Sequence, residues 1–119
     1  MSENLSLENI ISRIESFTKD RDWNKFHTVK NLVASISIES AELCETIQWT
    51  DPSVEEILRS SDLLNNISQE LADVMIYCIR LCSVLDLDLL SIINNKINLN
   101  SQKYPVNRSK GVSTKYSNL

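Results

Sequence analysis

Apolar residues recur at steps of three and four through most of this 119-residue chain, the spacing that lines them along one face of a helix. Leu7, Ile10, Ile11, Ile14 and Phe17 predict a first helix over residues 5–17, with Ser6 placed to cap it. Val29, Leu32, Val33, Ile36, Leu43 and Ile47 form the stripe of a second, from about Thr28 to Gln48. A stop at Asp51 and Pro52 precedes a short helix over Val54 to Arg59, and Ser61 or Asp62 is the expected cap of the next element. That element has the clearest seam, because Leu64, Ile67, Leu71, Val74, Cys78, Leu81 and Leu85 alternate steps of three and four as in a heptad. A last helix, about Asp88 to Lys103, ends before Pro105, which cannot continue it.

The remaining composition supports this reading. Gly111 is the only glycine and Pro52 and Pro105 are the only prolines, so the residues that punctuate hairpins are missing and long helices with few loops are expected. The length suits one domain, 1–119. We expect an all-α, four-helix-bundle-like fold with a loose basic tail over 105–119, where Arg108, Lys110 and Lys115 meet no acid. Ala72, Met75, Ile76, Ile79 and Cys82 make the third long helix apolar nearly all round. Such a helix needs cover on most sides, from its own bundle and from a partner subunit.

Charge narrows the classes of function. The net charge of -4 argues against coating nucleic acid or an anionic membrane. From Glu39 to Asp73 nine acids face a single base, Arg59, and that region attracts cations. Cys44, Cys78 and Cys82 lack paired zinc spacing and are expected as buried free thiols in a reducing cytoplasm. The start, "MSENLSLENI", has no basic stretch leading into an apolar block, so no secretory signal is expected. Asp73, Arg80 and Asp86 interrupt the best candidate for a membrane span.

Asp73 is the residue that asks for a reason, set among Leu71, Ala72, Val74, Met75 and Ile76 and three positions after Glu70. Glu39-x-x-Glu42 repeats the pairing on the second helix, and residues three apart are neighbours on a helix surface. If the two helices pack together the four carboxylates converge. Two carboxylates about 4 Å apart repel by roughly 4 kcal/mol at an effective dielectric near 20, and a divalent cation reverses that cost. All-oxygen ligation points to Mg²⁺, with Mn²⁺ as a substitute, and Mg²⁺ commonly brings a substrate's phosphates with it. On the other side of the scale, such acid pairs are frequent on solvated helix faces. A di-iron bundle would require Glu-x-x-His pairs, which are absent.

With these residues in hand the chain resembles the all-α nucleotide pyrophosphohydrolases of the MazG type, in their dCTP pyrophosphatase-like branch. The resemblance lies in "ESAELCETIQW" and "ELADVMIY", in "RDWNKFHTVKNL" before them, and in "NNKINLNSQKYP" and "STKYS" after them, about Arg21 to Ser117. It implies that Glu39, Glu42, Glu70 and Asp73 bind Mg²⁺, that Trp23, His27, Trp49 and Tyr77 help form the base and sugar pocket, and that Lys96, Asn100 and Tyr104 face the phosphates. The activity it implies is hydrolysis of a dNTP, dCTP or a related pyrimidine deoxynucleotide, to dNMP and pyrophosphate, in nucleotide-pool house-cleaning. Glu42 or Glu45 is expected to position the attacking water. The family also implies a homodimer or a dimer of dimers in the cytoplasm. Two departures from its pattern stand at Ile38, where many members have a second glutamate, and at Ser101, where an arginine is frequent. A dUTP- or phosphoribosyl-ATP-type pyrophosphohydrolase and a non-catalytic helical binding module are the alternative readings.

Overall fold

In the computed structural model, which describes residues 5–119, every regular element is helical. Oxygen-bearing side chains open the long helices. Ser6, Thr28, Ser53, Ser60 and Asp88 each hold extended backbone and accept the amide hydrogen three residues on, starting α1 (Leu7–Asp20), α2 (Val29–Glu45), α3 (Val54–Arg59), α4 (Ser61–Val84) and α5 (Leu89–Lys103). Each bond satisfies an amide that the first turn would otherwise leave unpaired. The cap of α4 falls one residue before the expected pair, since the Ser60 hydroxyl reaches the Leu63 amide at 3.2 Å. The second helix stops at Glu45, short of Gln48, where Thr46 turns its hydroxyl back onto the Leu43 carbonyl at 2.7 Å.

Aspartates take the place of glycine at two helix ends. Asp22 (φ 54°) and Asp86 (φ 53°) adopt the left-handed conformation that ends a helix, which Asp tolerates better than most side chains. After α1 the amides of Asp22 and Trp23 bond the carbonyls of Lys19 and Thr18, both at 3.0 Å. These are the paired bonds of a Schellman motif. The motif folds the chain back so that Trp23 meets the ring of Phe17 edge-on at 5.7 Å, and the 3-10 turn Asn24–Phe26 follows.

The chain divides into two compact units, residues up to Asp86 and Leu87–Leu119. In the first, α4 packs against α1, α2 and α3. Leu32 and Cys82 are its buried apolar residues, joined by the buried polar Thr18 and Arg80. Thr18 returns its hydroxyl to the Ile14 carbonyl at 2.9 Å. In the second unit α5 is followed by the short α6 (Val106–Ser109) and a 3-10 turn, Tyr116–Asn118, where Tyr116 meets Tyr104 edge-on at 6.0 Å.

All three cysteines are free, but Cys44 is exposed, Cys78 half-buried and Cys82 buried. The expectation of three buried thiols is therefore corrected at Cys44, which stands near the end of α2. Among the described residues no helix is long and apolar enough to cross a membrane. The first four residues, part of the stretch expected to carry no signal, lie outside the described residues.

Candidate active site

Because α2 lies along α4, Glu39 from the first meets Glu70 and Asp73 from the second. One carboxylate oxygen from each lies within 4.8 Å of the others. Glu42, one turn beyond Glu39, stands close enough to act on both Glu39 and Glu70, and Glu45 adds its charge at Glu70. The four acids singled out by their spacing thus form one cluster. Glu39 and Glu70 are half-buried and Asp73 is exposed.

The cluster is electrostatically strained. Burial, followed by the closeness of Glu42 and the charges of Glu42, Asp73 and Glu70, pushes the Glu39 carboxyl up to about 7. Burial also raises Glu70, with Glu42, Asp73 and Glu45 adding to it. One oxygen each of Glu39 and Glu70 is shut away from solvent without a hydrogen-bond partner. Buried carboxylate oxygens normally have such partners. Hard anionic oxygens, close together and short of donors, fit a divalent cation of the Mg²⁺ or Mn²⁺ kind, which takes oxygen ligands. Glu39, Glu70 and Asp73 would hold it, with Glu42 alongside.

One helical turn beyond Asp73, Tyr77 borders a second feature. Phe17, Trp23, His27 and Tyr77 form a run of rings with successive centroid distances of 5.7, 6.4 and 6.3 Å. They line a cavity of about 400 Å³ between α1, the 3-10 turn and α4, completed by Ile14 and Arg80 among others. Sequence reasoning treated Arg80 only as a break in an apolar run. The residue as a whole is 9% exposed, and its guanidinium donates from Nε to His27 Nδ1 at 3.0 Å and from Nη2 to Asn24 Oδ1 at 2.5 Å. Arginine can only donate, so Nδ1 must be the acceptor and His27 carries its proton on Nε2. Burial first, and the Arg80 charge second, hold the His27 pKa below its usual value. A signal for Arg80 existed: it stands seven positions after Asp73 and three after Tyr77, on the same face of α4.

Trp49 follows the end of α2, is 87% exposed, and does not line the cavity. Lys96 and Asn100 share a face of α5 in the second unit, and Tyr104 caps the end of that helix with its amide on the Asn100 carbonyl at 2.8 Å.

Fold and site define a class: an all-helical protein with an acidic cluster one turn along a helix from an aromatic cavity. The chain belongs to the MazG-like family, whose model matches residues 34–119. It is 33% identical to the mouse (Mus musculus) dCTP pyrophosphatase 1 over 117 residues, covering 96% of this chain and 68% of that protein. The human (Homo sapiens) dCTP pyrophosphatase 1 is 32% identical over 115 residues, with the same coverage. Among solved structures, a pyrophosphatase from Archaeoglobus fulgidus DSM 4304 superimposes with a TM-score of 0.76 at 37% identity, over 88% of this chain and 97% of that one.

Proposed function

We propose that this protein is a nucleoside triphosphate pyrophosphohydrolase that uses Mg²⁺ to convert a dNTP, dCTP or a related pyrimidine deoxynucleotide, into dNMP and pyrophosphate. The observation that carries the reading is the cluster of Glu39, Glu70 and Asp73, with two carboxylate oxygens buried and unpartnered. The dCTP pyrophosphatases and the archaeal pyrophosphatase among its relatives support the reaction class.

Each part of the site has a task in this reading. Mg²⁺ held there would supply positive charge to phosphate oxygens and make an attacking water more acidic. Glu39, Glu42, Glu70 and Asp73 provide its anionic ligands. Glu45, which feels the cluster without forming its centre, is a candidate to orient the attacking water. Trp23, His27 and Tyr77 offer faces and edges to the base and exclude water from it. For Lys96, Asn100 and Tyr104 as phosphate contacts, and for Trp49 as a pocket residue, the support is the family pattern alone.

A homodimer or dimer of dimers completes the proposal. Its support is the apolar surface left on the long helices, where Val33, Ile38 and Met75 are each more than half exposed (52, 59 and 52%). Helices with such surface are normally covered. Sedimentation at micromolar concentration tests the assembly, and a stable monomer would remove it. The reaction is tested by measuring pyrophosphate release from a panel of dNTPs and NTPs, with Mg²⁺ and with EDTA. Release from one or a few dNTPs that EDTA abolishes is the expected result, and no turnover by folded, Mg²⁺-loaded protein would overturn it in favour of a binding module.

A further inference from the structure

Arg80 is a cation walled into an aromatic and aliphatic cavity, and among the described residues it has no carboxylate partner. Burying a charge is costly unless it is paired and fully hydrogen-bonded. Its two partners, the His27 ring nitrogen and the Asn24 amide oxygen, are neutral acceptors. They occupy two of the guanidinium's five N–H donors and cancel none of its charge. They do fix its plane, by tying α4 to the 3-10 turn that carries Asn24 and to His27 just after it. The cavity therefore presents a pre-oriented donor with uncompensated positive charge to any occupant. His27, protonated at Nε2, is a second donor in the same wall.

Such a wall selects for acceptors. The run of rings beside it suits a planar heteroaromatic ligand, and of the two arginines in the lining Arg13 is exposed while Arg80 is buried. We infer that Arg80 is a specificity-determining residue that donates to a carbonyl oxygen on the edge of the bound base, and so favours carbonyl-bearing bases over adenine. Cytosine, thymine and guanine each carry such an oxygen and adenine carries none. The inference rests on the reading of this cavity as the base pocket.

The test compares kcat/KM for dCTP, dTTP and dATP with Mg²⁺ in the full-length wild type, Arg80→Met and Arg80→Lys, alongside binding of free deoxycytidine and deoxyadenosine followed by tryptophan fluorescence. Hydrogen bonds to a charged donor correspond to about 10- to 100-fold in such ratios. In Arg80→Met the preference for dCTP and dTTP over dATP should shrink by about that factor. Arg80→Lys keeps the charge and loses the planar fork, so a smaller drop is expected. Equal loss for all three nucleotides, with the ratios intact, overturns the inference and leaves Arg80 as a structural tie or a phosphate contact. If Arg80→Met does not fold, unchanged ratios in folded Arg80→Lys overturn it equally. Should the wild type hydrolyse no dNTP, the proposed function fails while the nucleosides still decide: preferential binding of deoxycytidine, lost in either variant, supports Arg80, and no preference overturns it.

Discussion

Two charges on one face of α4, Asp73 and Arg80, are held in opposite ways. Asp73 is exposed and surrounded by other acids, so its neighbourhood is unfavourable until a cation arrives. Arg80 is buried and bonded on two sides by neutral acceptors, so its neighbourhood is ordered before any ligand arrives. A charged residue in an apolar helix is thus not one kind of signal. In the first case the protein stores repulsion for a ligand to relieve, and in the second it builds a rigid wall for a ligand to meet.

The largest effect that would break this contrast is on turnover. Asp73→Asn and Glu39→Gln should each lower Mg²⁺-dependent pyrophosphate release by more than about 100-fold, because even groups that merely orient a metal ligand are worth 10–100-fold. Full activity in either variant would detach the cluster from the chemistry. Stability should then move in opposite directions. In metal-free protein Asp73→Asn removes a like charge and should raise the urea midpoint. His27→Phe strands the buried Arg80 Nε and should cost about 1–3 kcal/mol. Loss of stability in both variants would erase the distinction.

The pH response of metal-free protein sharpens the same point. Glu39 is raised to about 7, so between its unfolded value and there the folded chain holds more protons. Its contribution to stability is complete below the unfolded pKa and is lost as pH rises through about 7. His27 is lowered, so its contribution is present above the ordinary histidine pKa and is lost as pH falls through the folded one. Urea titrations at pH 5.5 and 8 should show a larger alkaline loss in wild type than in Glu39→Gln, where the raised Glu70 still contributes, and added Mg²⁺ should reverse it. The smallest effect is expected at Trp49, which belongs to neither region. Trp49→Ala should change the unfolding free energy by no more than about 0.5 kcal/mol, as for most exposed substitutions away from special features.

Helix positions were legible from periodicity and caps, because Ser6, Thr28 and Asp88 are short-range signals that act where they stand. The four acids were legible because a carboxylate in an apolar segment needs a reason, and i, i+3 spacing on two helices limits where they can meet. The aromatic cavity was legible only as a resemblance. Its shape depends on the Schellman turn after α1, and that turn is written with Asp22 in place of the glycine that would have announced it. The Arg80 bonds span more than fifty residues, a pairing that no local spacing encodes. Trp49 is exposed and outside the cavity lining, so its place in a pocket rests on the family pattern alone.

The Arg80 bond has one more consequence, which lies in spectroscopy. His27 is the only histidine in the chain, so its imidazole contributes a single pair of ring nitrogen resonances that need no assignment. With Nδ1 accepting from Arg80 and Nε2 carrying the proton, the two nitrogens should resonate far apart, as in a locked neutral tautomer. Each added nucleoside can then be followed at one atom of the cavity wall, in the unmodified protein and without turnover.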